Sequence, residues 1–189
     1  MIRFVFSTIL LCLGAVASSA QLVKVESPAF RGAYNLLLQC PTQIEWTVRR
    51  SDLGDANREP SWRFIQTIHN NLATATHDDF TRTDYDRGHL CPAADRSSSV
   101  QLMRQTFVMA NIAPQSPRLN RGDWKKTEIY CRNAALIYDS IHVLAIPVFL
   151  DRDTSFVGEH RLAVPHAFIK VAWLPSNDSI LATWFYWNK

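Results

Sequence analysis

The stretch Thr83-Asp84-Tyr85-Asp86-Arg87-Gly88-His89-Leu90-Cys91-Pro92-Ala93-Ala94-Asp95-Arg96 sets the terms on which this chain is read. Between Asp84 and His89 it gathers two carboxylates, an arginine, a glycine and a histidine. Holding such a cluster in a core without partners is costly, so it is either a solvated turn or a place where chemistry is done. Its parts suit chemistry. A near-neutral His89 imidazole can deprotonate water. Arg87 presents a rigid fork of donors that matches phosphate oxygens, and Gly88 lets backbone approach a bulky ligand. A lone histidine is nevertheless more often a surface or hydrogen-bonded residue, so the stretch needs support from elsewhere in the chain.

Upstream, Ile44, Trp46 and Val48 alternate with polar residues and predict a strand over 41–50. Ser51 to Ser61, with Gly54, Asn57 and Pro60, reads as a turn-rich link that carries Arg58. The polar segment Asp78 to Asp86 reads as a loop that delivers the cluster. Downstream, 106–113 reads as a buried strand ending near Pro114, followed by a loop from Gln115 to Gly122 and a helix from about Asp123 to Tyr138. Three further apolar runs, His142–Leu150, Phe168–Leu174 and Leu181–Trp187, read as strands, with Pro165 at the entry of the middle one. This mixture predicts an α+β fold, mainly an antiparallel sheet with flanking helices. Neither a doubly wound alternation nor a glycine-rich phosphate loop is present.

The helix supplies the second half of the argument. Trp124, Cys131, Ala135 and Tyr138 mark one face at helical spacing, and Glu128 lies on the same stripe. Asn120 precedes Trp124 by one turn, and side chains lean towards the helix start, which aims Glu128 back at Asn120. A carboxylate on an inward face needs a partner or a metal. The plainer reading makes Asn120 a helix cap, Asp123 its capping partner and Glu128 an exposed neighbour of Lys125. A cap and a metal ligand would compete for the same Asn120 oxygen. As a ligand, that oxygen suits a hard ion such as Mg²⁺ that keeps most of its waters, with Glu128 orienting them.

The ends and composition bound the rest. Arg3, the apolar run Phe4–Val16 and Ala17-Ser18-Ser19-Ala20 read as a secretory signal peptide over 1–20, shorter than a spanning helix needs. The expected mature chain, 21–189, suits a single domain. Its expected location is secreted or periplasmic, with no stable membrane insertion. The formal charge of +3 falls to +2 without Arg3, so an anionic ligand must be met by local clusters of arginine and lysine. Cys40, Cys91 and Cys131 remain, enough for one disulfide and one thiol over, with no zinc-like spacing. A Cys91–Cys131 bridge would tie the motif segment to the helix that carries Glu128.

Three blocks, Asp86-Arg87-Gly88-His89, Asn111-Ile112-Ala113-Pro114-Gln115 and Leu119-Asn120-Arg121-Gly122-Asp123-Trp124 with Glu128, together resemble the secreted and mitochondrial DNA/RNA non-specific endonuclease family. That family belongs to the ββα-metal (His-Me finger) class, and the likeness covers roughly residues 40 to 175. The resemblance implies that His89 is the general base for water and Asn120 the one direct protein ligand of Mg²⁺, a place Mn²⁺ or another divalent ion can also take. It implies that Glu128 acts on that ion through water and that Arg87 assists phosphate binding. Asp86 would order the loop, Asn111 would support the site, and Arg58 would be the upstream phosphate-binding arginine, with Arg49 and Arg50 as competitors. Family members cut DNA and RNA within the chain and leave 5′-phosphates. The partners so implied are DNA and RNA, met through the phosphate backbone with little sequence preference; monomer and homodimer both stay open.

Three other readings stand beside this one. A catalytically inactive nucleic-acid-binding module would use the same basic residues, but it would not need His89, Asn120 and Glu128 together. A phosphodiesterase for small extracellular substrates would need an enclosed pocket rather than a positive groove. A secreted domain stapled by its cysteines would need none of the motif blocks.

Overall fold

A computed structural model of the chain describes residues 22–66, 68–69, 72–150 and 153–189. The expected signal peptide lies outside the described residues. The principal layer is a six-stranded antiparallel sheet made of β1 (Leu22–Glu26), β2 (Arg31–Asn35), β3 (Cys40–Arg49), β8 (Ser140–Val148), β11 (Ala167–Trp173) and β12 (Ile180–Trp187), in that spatial order. Alternation drives its assembly. In β3, Ile44, Trp46 and Val48 point to one buried face, and in β11, Phe168, Lys170 and Ala172 do the same. Three short pairs complete the strands: β4 (Ile68–His69) with β5 (Leu72–Ala73), β6 (Asp86–His89) with β7 (Ile112–Gln115), and β9 (Phe156–Val157) with β10 (Leu162–Ala163).

The helices are α1 (Val100–Arg104), α2 (Pro117–Leu119) and α3 (Lys125–Tyr138). Thr127, Cys131, Ala134 and Ala135 of α3 are buried, and the core they enter includes Trp46, Val48, Ile141, Val143 and Phe168. This is an α+β fold with an antiparallel sheet flanked by helices, and the β6–β7 pair followed by α3 forms its ββα element.

Five expectations change. Residues 106–113 do not form one strand. Met109–Asn111 is a 3₁₀ turn, and β7 begins at Ile112 and runs through Pro114 to Gln115. The reason is Asn111, which is fully buried. Its Nδ2 donates to the carbonyls of Cys91 (2.8 Å) and Thr106 (3.0 Å), and its Oδ1 accepts from the Cys91 amide (2.9 Å). The side chain thus takes the place of ladder hydrogen bonds.

The helical path also starts earlier than Asp123. Ser116 accepts from the Leu119 amide as N-cap, and Pro117 opens the first turn. The chain then passes through a wide π turn, Asn120–Trp124, broken at Gly122, before α3. Asn120 is therefore not the N-cap of α3; it sits in helical conformation at the end of α2, and Asp123 is ion-paired with Lys126 at 2.8 Å. Finally, Tyr138 is 50% exposed and leaves the buried stripe, and Cys40, Cys91 and Cys131 are all buried free thiols, so no Cys91–Cys131 bridge forms.

Candidate active site

β6 and β7 pair in register Asp86↔Gln115, Arg87↔Pro114, Gly88↔Ala113 and His89↔Ile112, so the cluster is delivered on an extended strand. Gly88 is needed for close approach. A Cβ there would lie 2.2 Å from Gln115 Oε1 and 2.6 Å from its Cγ, and Gln115 is fully buried. Strand alternation then places Arg87 and His89 on the opposite side from Gly88.

His89 is held in an aromatic enclosure. Its ring centroid lies 5.1 Å from that of Phe64 and 5.0 Å from that of Phe107, while Phe64 is itself stacked between His77 and Phe107. Nε2 is enclosed and has no hydrogen-bond partner among the described residues. Burial, with a further contribution from the positive charge of Arg58, pushes the His89 pKa down to about 3. The imidazole is therefore neutral at neutral pH, the form a proton acceptor requires.

Two bonds join this strand to the helical block. The Asn120 Nδ2 donates to Asp86 Oδ2 at 2.9 Å, and the Trp124 indole N–H donates to the His89 carbonyl at 3.1 Å. A carboxylate can only accept, so it fixes which end of the Asn120 amide faces Asp86 and leaves Oδ1 for another partner. Arg121 clamps the same carboxylate through Nε (2.8 Å) and Nη2 (2.6 Å). The Arg121 hydrogen bond, opposed by burial and supported by Asn120, lowers the Asp86 pKa.

Glu128 lies one helical turn beyond Trp124 and is half-buried. Burial raises its pKa to about 7, and the charge of Lys170 is the strongest influence holding it down. Lys170 is fully buried, with Nζ 3.7 Å from the Trp124 ring centroid and no hydrogen-bond partner among the described residues. Behind it, Asp95 accepts from Trp46 Nε1 (2.9 Å) and from Arg132 Nη1 (3.0 Å).

The Arg87 guanidinium donates through Nε (3.0 Å) and Nη2 (2.8 Å) to the His77 carbonyl and sits 5.4 Å from the Phe80 ring centroid. That leaves Nη1 as the end free of these bonds. Arg58 is exposed and lines a cleft of about 530 Å³ with Asn57, Met103, Arg132 and Leu136. Of the three upstream arginines, Arg58 is the one whose charge is felt at His89. Arg49 is spent on Asp52, and Arg50 on Asp139 and the Leu136 carbonyl. Of the residues named from the motif blocks, Asp86, Arg87 and His89 lie on β6, Asn120 in the π turn, Glu128 in the first turn of α3, and Asn111 in the 3₁₀ turn before β7.

Sequence reasoning missed Phe64, Phe107, Arg121 and Lys170. Only Arg121 carried a readable signal, since it lies inside a motif block; the others are joined to the site by long-range packing.

No group of three or more His, Cys, Asp or Glu side chains that could hold a metal occurs among the described residues. The donor set on hand is instead one oriented amide oxygen, Asn120 Oδ1, with the Glu128 carboxylate eight residues along. Such a set fits a hard divalent ion that keeps most of its waters and does not fit zinc.

Comparison with known proteins gives a consistent placement. The family model described as DNA/RNA non-specific endonuclease matches residues 16–188. The human protein "Endonuclease G, mitochondrial" is 34% identical over 128 residues, covering 62% of this chain and 43% of that protein. The Danio rerio protein "Nuclease EXOG, mitochondrial" is 31% identical over 140 residues (68% and 41%). A "Nuclease" of Nostoc sp. is 31% identical over 115 residues (61% and 42%). The chain therefore spans about two fifths of the length of these relatives. A crystal structure of the EndoG/EndoGI complex superposes with a TM-score of 0.78 at 23% identity, covering 88% of this chain and 74% of that one, which speaks for the fold. With the family model matching nearly its whole length, the chain belongs to the DNA/RNA non-specific endonuclease family.

Proposed function

We propose that this protein is an endonuclease that hydrolyses phosphodiester bonds in DNA and RNA with a divalent ion, Mg²⁺ in the first instance, and leaves 5′-phosphates. It acts outside the cytoplasm, secreted or periplasmic, after removal of the leader read over residues 1–20. The observation that carries the reading is the pair of bonds from the helical block to β6: Asn120 to Asp86 and Trp124 to the His89 carbonyl. They bring a neutral, enclosed imidazole and an oriented amide oxygen into one site.

In this reading His89 takes the proton of the attacking water. Nε2 is sealed off, so Nδ1 is the nitrogen left to accept that proton, and the Nε2–H tautomer sets its hydrogen against the aromatic enclosure. Arg87 and Arg58 bind the non-bridging phosphate oxygens; Arg87 does so through its free end while the His77 carbonyl holds the other. Asn120 and Glu128 would hold the divalent ion, Asn120 directly and Glu128 through water. When bound, that ion supplies positive charge for the oxygens on which negative charge grows. Contact with phosphate and not with base edges accounts for low sequence preference.

The test is incubation of wild-type and His89→Ala protein with plasmid DNA and with RNA, in Mg²⁺ or in excess chelator. Wild type is expected to cut both polymers in Mg²⁺ only, and His89→Ala to lose about 10²–10⁴-fold in rate. Undiminished cutting in chelator, or equal activity in the variant, overturns the mechanism.

A further inference from the structure

The turn between β9 and β10 and the 3₁₀ turn ahead of β6 meet at one carboxylate that the reaction itself does not use. Asp79 is buried, 4% exposed, in the 3₁₀ turn His77–Phe80. Its Oδ2 accepts from the Thr76 amide (2.6 Å) and hydroxyl (2.9 Å). Its Oδ1 accepts from the His160 amide (2.9 Å), and the His160 ring Nδ1 lies 3.2 Å from Oδ1 and 3.0 Å from Oδ2. Because a carboxylate only accepts, that ring nitrogen carries the hydrogen. Burial alone would raise the Asp79 pKa, and the bonds from His160 and Thr76 more than reverse it. Gly158, at φ +72°, leaves room for this arrangement: a Cβ there would fall 2.4 Å from Asp79 Cβ. The turn between β9 and β10 is thereby fastened to the turn at 77–80.

The same turn is the seat of Arg87. Residues three apart in a 3₁₀ turn lie one above the other. His77 thus offers its carbonyl to Arg87 Nε and Nη2 while Phe80 sets its ring 5.4 Å from the guanidinium carbon. The turn also touches the other side of the site, since the Phe64 amide donates to His77 Nδ1 at 3.2 Å and Phe64 packs on His89. Asp79 fixes the turn whose His77 carbonyl holds Arg87 and whose His77 ring stacks on Phe64, the neighbour of His89.

We propose that Asp79, pinned by His160, is a positioning residue for nucleic-acid cleavage, acting through the His77 carbonyl to aim the Arg87 guanidinium at phosphate. The proposal rests on the nuclease reading above. It assigns the β9–β10 hairpin a role in the site that the motif blocks do not contain.

The test is a double-mutant cycle on the full chain, with kcat/KM for plasmid DNA measured for wild type, Asp79→Asn, Arg87→Ala and the double variant. Asp79→Asn keeps the shape and one accepting oxygen but loses the second set of accepted bonds. It is expected to cost about tenfold in the wild-type background and less than about twofold once Arg87 is gone, the signature of residues that act as one unit. His160→Ala is run in the same cycle, because it removes the ring while leaving the His160 amide bond to Asp79, and it serves should Asp79→Asn fail to fold. It is expected to give the same pattern at smaller size. Equal fold-losses in both backgrounds for the folded variants, as a general packing defect would give, overturn the proposal and leave the nuclease reading standing. Absence of cleavage by wild type in Mg²⁺ removes that reading and the proposal with it.

Discussion

The Asp86 carboxylate accepts the Asn120 amide N–H at 2.9 Å, although thirty-four residues separate the two. This bond decides that Oδ1 of Asn120, and not its nitrogen, is presented to the site. Bonds from Arg121 and from Asn120 lower the Asp86 pKa, so the carboxylate beside Arg87 and His89 is held as an acceptor.

Removing that acceptor should loosen the metal half of the proposed site. Asp86→Ala frees both the Asn120 amide and the Arg121 guanidinium, and a lost outer-shell partner of a ligand costs about 10–100-fold in metal affinity or activity. The expected result is a rightward shift in the Mg²⁺ dependence of cleavage, with activity recovering in part at high Mg²⁺. An unchanged Mg²⁺ titration would exclude this role for Asp86.

The enclosed His89 gives stability a defined pH dependence. Its folded pKa, about 3, lies below the unfolded value near 6.5. Between those values the unfolded chain binds more protons than the native one, so this residue's contribution to stability falls as pH falls through that window. Replacing the ring by one that cannot titrate, His89→Phe, should therefore reduce the stability lost between pH 7 and pH 4 by about 3 kcal/mol. Urea midpoints at the two pH values measure it, and identical losses in both proteins would contradict the assignment.

Gly88→Ala tests the packing behind the strand. The added methyl would press on the fully buried Gln115 side chain, whose amide atoms have no hydrogen-bond partner among the described residues. Overpacking of this kind costs about 1–3 kcal/mol. A drop in thermal midpoint with reduced activity is expected; a variant as stable as wild type would show that Gln115 moves aside freely.

The three cysteines of the described chain should all be titratable once the protein is unfolded. Burial raises the pKa of each thiol, that of Cys131 to about 12, so alkylation of the native protein should be slow. Mass analysis after alkylation in denaturant without reductant should show three modified thiols. Two fewer would reveal a disulfide.

Much of the fold was legible because burial imposes periodicity. Ile44, Trp46 and Val48 announce β3, and the apolar runs near 142, 168 and 181 announce β8, β11 and β12, each within a residue or two of its end. Where reading failed, a side chain had replaced a backbone partner or a turn signal had been outweighed. Asn111 folds 109–111 out of the expected strand by taking backbone bonds itself. Gln115 to Gly122 reads as a loop, yet the Ser116-Pro117 start carries helical turns right up to Gly122. Tyr138 has the right spacing for the stripe but is the last residue of α3 and stays exposed.

By itself the sequence determined which chemical groups this protein owns and in what order. The blocks Asp86–His89, Asn111–Gln115 and Asn120–Glu128 are local, and local spacing is a property of the chain alone. Tertiary structure decided what those groups are. It packed His89 against Phe64 and Phe107, turned the Asn120 amide by means of Asp86, set Lys170 on Trp124 near Glu128, and seated Arg87 on a turn held by His160. Proton affinity and side-chain direction depend on desolvation and on neighbours far away in sequence, and only the folded chain supplies those neighbours.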